Sequence, residues 1–93
     1  MEKRQHRRIP FRRTVHLMRG REGDEQILES SDFSLSGMAM VSERPVRVGE
    51  KVWLRFEVNT LGDPRELNVQ AEIRHVDLAA NSYRVGVSFL EPR

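Results

Sequence analysis

Lys51-Val52-Trp53-Leu54-Arg55-Phe56-Glu57-Val58 is the stretch that decides the fold class. Val52, Leu54, Phe56 and Val58 alternate with Lys51, Arg55 and Glu57, the period of two expected of a strand with one buried face. That phase sends Trp53 outward beside Lys51 and Arg55, a position open to base stacking, to a partner protein or to covering a barrel end. Downstream, Leu67, Val69, Ala71 and Ile73 repeat the alternation against Asn68, Gln70, Glu72 and Arg74. The apolar positions then change phase to Val76 and Leu78 across His75, which predicts a β-bulge. Tyr83, Val85, Val87 and Phe89 alternate once more, with Gly86 on the opposite face where something approaches closely or the strand bends.

Upstream the pattern weakens but persists. Phe11 to Arg19 places Val15 and Leu17 on one face, Gln26 to Phe33 reads as a weaker strand, and Met38 to Val41 as a short one. Gly20 to Asp24, Arg44 to Glu50 and Leu61 to Pro64 hold the Gly and Pro residues that punctuate turns, and Ala79 to Ser82 suits a short hairpin loop. No convincing helix, internal repeat or low-complexity tract interrupts them. Six strands at this spacing predict a small all-β antiparallel barrel or sandwich.

The chain has 93 residues, of which 38% are hydrophobic and 32% charged, the balance of one soluble domain with a single core. Its longest apolar run, Met38 to Val41, is far shorter than the roughly 20 residues a membrane helix needs, and no apolar signal core follows the basic N-terminus. A cytoplasmic protein with no membrane association is expected. With no Cys, disulfide scaffolds, zinc knuckles and thiol nucleophiles are excluded.

The net charge of +2 conceals a strong asymmetry. Lys3, Arg4, Arg7, Arg8, Arg12, Arg13, Arg19 and Arg21 are opposed only by Glu2, so residues 1–21 carry +7 and the remainder −5. Such a directed distribution points to phosphate groups, and Arg, unlike Lys, offers a planar fork that binds phosphate or a guanine edge in bidentate fashion. A solvated charged tail is the plainer alternative. Residues 1–10 hold too little apolar surface to drive burial and are expected to be a flexible arm, with residues 11–93 forming one domain.

Catalytic chemistry finds no foothold. His6, His16 and His75 lie on the arm and on two separate strands, no nucleophile stands beside a base, and the acidic residues are scattered as strand-face charges are. Gly20 and Gly23 lack the context of a phosphate loop, and no metal or cofactor is expected. Two segments look specified instead: Lys3-Arg4-Gln5-His6-Arg7-Arg8-Ile9-Pro10, leading into the first strand, and Asp32-Phe33-Ser34-Leu35-Ser36-Gly37, after the second. The latter has a structural reading as strong as a functional one, with Asp and Ser capping a turn and Gly in the left-handed conformation. Wherever the two strands are neighbours, the arm and the turn lie close together.

These two segments resemble the Arg-x-x-x-Arg and Asp-x-Ser-x-x-Gly motifs of PilZ domains, receptors for the bacterial second messenger cyclic di-GMP. Val48 to Leu54 is similar to the approach to that family's fourth strand, and Tyr83 to Phe89 to its closing strand. The resemblance implies a PilZ-like six-stranded split barrel, and a site made of Arg4, Arg7, Arg8, Asp32, Ser34 and Gly37. Arg8 to Arg12 also fits the first spacing, but the family's second Arg precedes an apolar-Pro pair, which selects Arg4 and Arg8 and leaves Arg12 to the strand. Many PilZ domains continue into a C-terminal helix, whereas this sequence runs only to Glu91-Pro92-Arg93, which implies little or no helix and a barrel end open to a partner.

The ligand offers two phosphates and two guanines. The Arg forks suit its phosphate oxygens and guanine O6 and N7, Asp32 suits guanine N–H groups, Ser34 adds a hydroxyl, and Gly37 lets the backbone approach. Binding is expected to order the arm against the barrel and to change contacts with an unidentified effector protein. Two alternatives are a PilZ-like protein-interaction adaptor with poor nucleotide binding and a small barrel that binds RNA or DNA through its arm. Nucleic acid is disfavoured because Phe11, Phe56, Tyr83 and Phe89 occupy apolar strand phases, leaving few aromatic residues for stacking.

Overall fold

The computed structural model describes residues 9–19 and 24–90, and none of these is helical. The strands are β1 (Ile9–Pro10), β2 (Thr14–Arg19), β3 (Asp24–Phe33), β4 (Gly37–Ser42), β5 (Lys51–Thr60), β6 (Asp63–Ala79) and β7 (Ser82–Phe89). They run in the order β1-β3-β2-β5-β6-β7-β4, and a further β3–β4 pairing closes β2 to β7 into a six-stranded barrel, every pair antiparallel. The expected barrel is therefore the fold. Closure leaves no long free edge, which suits a chain with so small a core.

The alternating apolar positions meet inside. Val15, Leu17, Leu28, Met38, Met40, Val52, Leu54, Phe56, Ala71, Ile73, Val85 and Val87 are buried together. Leu67, Val69, Val58, Val76, Tyr83 and Phe89 pack partly buried against them, whereas Leu78 is exposed near the tip of the β6–β7 hairpin. The phase change at His75 is a bulge, as the sequence predicts: Ile73 pairs with Val87 and His75 with Gly86, so Arg74 is the extra residue. The preceding loop joins there, with Gly49 N donating to Ile73 O (2.6 Å) and Ile73 N to Glu50 O (2.9 Å). The turn expected over Leu61 to Pro64 narrows to Leu61-Gly62, both at positive φ (53° and 80°). That is the two-residue geometry whose twist matches a hairpin.

Two boundaries differ from the sequence reading, for one reason. Ile9 and Pro10, counted there with the arm, form a two-residue strand, and the strand expected from Phe11 begins only at Thr14. Both β1 and β2 lie along β3, and between them Phe11, Arg12 and Arg13 face only Ser30 and Ser31. Arg12 thus sits in this bulged link rather than in a strand. The Ser30 hydroxyl replaces the missing ladder bonds, accepting from Arg13 N (3.0 Å) and donating to Phe11 O (2.5 Å), while Ser30 N donates to Arg13 O (2.9 Å). Buried backbone groups need partners, and a side chain short enough to reach both sides supplies them.

Candidate ligand site

At the end of β3 the chain carries the Asp32-Phe33-Ser34-Leu35-Ser36-Gly37 segment into β4. Phe33 anchors it. Its ring lies 5.1 Å from Phe11, 6.0 Å from Phe56 and 5.9 Å from Phe89 between centroids, so four rings from four parts of the chain close this end of the barrel. Tilted and edge contacts of this kind add about 0.5–1.5 kcal/mol per pair beyond area burial. Arg13, in the link between β1 and β2, stacks its guanidinium over Phe11 at 5.5 Å.

Backbone bonds then fix the turn. Ser34 N donates to Gly37 O (2.9 Å), and Phe89 N donates to Ser36 O (2.9 Å), which ties the turn to β7. Ser34 is buried, and its hydroxyl accepts from Ser36 N at 3.2 Å. This hydroxyl builds the turn, the capping role open to it from sequence. Gly37 is required for a different reason than the one inferred from sequence. Its φ is not in the left-handed region, but a Cβ placed there would stand 2.2 Å from Val87 O. The constraint is space for the β7 backbone, which pairs Ser88 with Gly37.

Asp32 belongs to β3, with Pro10 as its Cα partner on one side and Ala39 on the other. Ser31 is bulged out of the β3–β4 ladder, so Asp32 falls on the outer face while Phe33 turns inward against Met38. The pairing of Ile9 with Phe33 and of Pro10 with Asp32 lays the end of the arm directly along the motif. Arg4, Arg7 and Arg8 lie outside the described residues; Asp32, Ser34 and Gly37 are brought together on one turn. Trp53 is outward as expected, 44% exposed, with Met18 and Gln70 as partners on a strand two places from β3.

The sequence reading missed Phe33 and Ser30. Phe33 follows a bulge that breaks the period of two, and a lone Ser in a polar strand carries no signal that it bridges a neighbouring segment.

The PilZ domain family model matches residues 2–93. Among curated proteins none matches the sequence. Of the solved structures, that of the Bacillus subtilis inhibitor of motility (MotI/DgrA) is similar with a TM-score of 0.86 at 18% identity, covering 98% of this chain and 44% of that one. The PilZ domain with c-di-GMP of YcgR from Escherichia coli has a TM-score of 0.74 at 16% identity, covering 96% and 79%. The K. pneumonia MrkH-c-di-GMP complex has 0.73 at 15%, covering 100% and 47%. The chain thus spans less than half the length of the Bacillus and Klebsiella proteins.

Proposed function

Since this chain belongs to the PilZ domain family, we propose that it is a cytoplasmic receptor for cyclic di-GMP, held between the N-terminal arm and the Asp32 to Gly37 turn. The observation that carries the reading is the register of β1 on β3. With Pro10 opposite Asp32, Arg8 is only two residues upstream of the position that faces the motif's carboxylate. Arg4 and Arg8 present forks to phosphate oxygens and guanine edges, and Arg7 adds a phosphate contact. Asp32 accepts from guanine N–H groups. Ser34 and Gly37 hold the turn in shape, and Gly37 keeps its backbone approachable. The complexes of YcgR and MrkH with c-di-GMP support the choice of ligand. Ordering of the arm on the barrel alters the surface offered to an effector protein, and the cost of that ordering reduces affinity.

Calorimetric titration with cyclic di-GMP, beside GTP and single-stranded RNA, tests the proposal. Saturable binding of cyclic di-GMP alone is expected, weakening as salt screens the arm. Binding of RNA in preference, or of nothing, overturns it. Arg8→Ala costs about 1.5–3 kcal/mol of binding, the worth of a charge-assisted hydrogen bond or more, and Arg12→Ala much less. Equal losses at both positions would move the motif to Arg8 and Arg12.

A further inference from the structure

The loop that joins β4 to β5 is tied down at several points. The Ser42 hydroxyl donates to Arg44 O (2.6 Å) and accepts from Arg44 N (3.1 Å), Glu50 N donates to Arg47 O (3.1 Å), and Gly49 N donates to Ile73 O (2.6 Å). Val46 packs partly buried against the core, and Glu50 takes the Arg19 guanidinium at 2.8 Å. These ties fix the shape of an open groove of about 890 Å³, lined by Arg19 and residues 44–50. Gln26 bonds to both Arg19 and Ser42 at this end, and Asp32 lies six residues farther along β3. The groove therefore stands roughly 20 Å from the Asp32 to Gly37 turn.

The loop's backbone is satisfied, but two of its side chains are not. Arg44 and Arg47 are exposed, and their guanidiniums make no hydrogen bond or ion pair with any described residue. The one carboxylate in the described lining, Glu50, is already engaged by Arg19. Between and beside the two arginines the groove is apolar, with Pro45 exposed and Val48 60% exposed. Residues 22–93 carry −5 overall, so these two cations run against the charge of their own domain and suit a partner of opposite sign.

We propose that this groove docks an acidic segment of a partner protein: Arg44 and Arg47 grip carboxylates of that segment, and an apolar side chain between them lies on Pro45 and Val48. A guanidinium fork meets a carboxylate with two parallel N–H···O bonds, and clusters of Arg are a recurring means of recognising acidic motifs. The groove is large enough for several side chains, more than one small anion fills. Its described lining has no aromatic platform on which nucleic-acid bases stack, and its concave form does not match a flat bilayer. The site adds a second binding surface and does not rest on the cyclic di-GMP reading.

The test is fluorescence anisotropy on the full chain without cyclic di-GMP, using a labelled peptide of three Glu-Leu-Glu repeats and a control peptide with Gln in place of Glu. The acidic peptide is expected to bind about tenfold or more tighter than the control, and less tightly as salt rises. The double variant Arg44→Ala/Arg47→Ala is expected to lose about tenfold in affinity at an unchanged melting temperature, since it removes two exposed forks. Val48→Asp, which places a carboxylate on the floor, is expected to lose as much. The basic arm is a competing site for any acidic peptide, so Arg4→Ala/Arg8→Ala is the control and is expected to stay within about twofold. Equal peptide affinity in the wild type and in Arg44→Ala/Arg47→Ala overturns the proposal, as does a loss confined to Arg4→Ala/Arg8→Ala. Binding of phosphatidylglycerol vesicles or single-stranded RNA through Arg44 and Arg47, with the peptide ignored, also overturns it. Arg44→Ala/Arg47→Ala is expected to titrate cyclic di-GMP as the wild type does, so the groove and the receptor reading fail or stand separately.

Discussion

The two ends of the barrel are closed by opposite chemistries. At the end that carries the motif, four phenylalanine rings meet, and the Asp32 to Gly37 turn is bonded to β7 above them. At the other end polar groups form a chain. Glu50 accepts from Arg19 Nε (2.8 Å), Gln26 accepts from Arg19 Nη1 (3.3 Å) and donates to Ser42 Oγ (2.6 Å), and the Ser42 hydroxyl donates to Arg44 O (2.6 Å). An open groove of about 890 Å³ lies beside this chain, lined by Arg19 and residues 44–50. Apolar closure has no polar groups to satisfy and holds the turn in one shape, which suits a surface that must be ready before its ligand arrives. Hydrogen-bonded closure depends on each partner being present, and it lies away from the Asp32 to Gly37 turn.

The largest expected effect falls on the aromatic end. Phe56→Ala removes a buried ring that contacts Phe11, Phe33 and Phe89, at a cost of about 3–5 kcal/mol, and lowers Tm by roughly 15 °C or more. A loss of less than about 1 kcal/mol in urea unfolding would mean that the rings do not close the barrel.

Gly37→Ala sharpens the comparison, because it links stability to binding at one residue. Its Cβ would meet Val87 O at 2.2 Å, so backbone must shift, at about 1–3 kcal/mol by analogy with overpacked sites. Both the melting temperature and the affinity for cyclic di-GMP are expected to fall. A variant with the wild-type melting temperature would show that the close approach is not real.

The smallest effect belongs to the polar end. Gln26→Ala breaks the buried contact to Ser42 and costs about 1–2 kcal/mol by thermal unfolding, with ligand affinity unchanged. If affinity falls as far as in Gly37→Ala, the two ends are not independent and the comparison breaks.

Much of this architecture was legible because a period of two is a local property. The Lys51 to Val58 alternation became the buried Val52, Leu54 and Phe56, and the phase change across His75 became a bulge with Arg74 as the extra residue. What could not be read depends on distant partners. Ile9 and Pro10 pair through their backbone and carry no pattern of their own, and Arg19 finds Glu50 across 31 residues of sequence. The motif positions stood out by residue type, yet not their reasons. Gly37 is set by the carbonyl of Val87 and Ser34 by the amide of Ser36, contacts that a turn signature leaves open.

The central claim is that the arm and the turn hold one ligand between them, and amide hydrogen exchange tests it most directly. Residues 1–10 carry like charges and little apolar surface, and ordering a backbone costs about 1–2 kcal/mol per residue, so free Arg4 to Arg8 amides are expected to exchange fast. Saturating cyclic di-GMP should slow exchange at Arg4 to Arg8 and at Ser34 to Gly37 together. Fast exchange at Arg4 to Arg8 under saturating ligand, with protection confined to the turn or absent from both, would contradict the account.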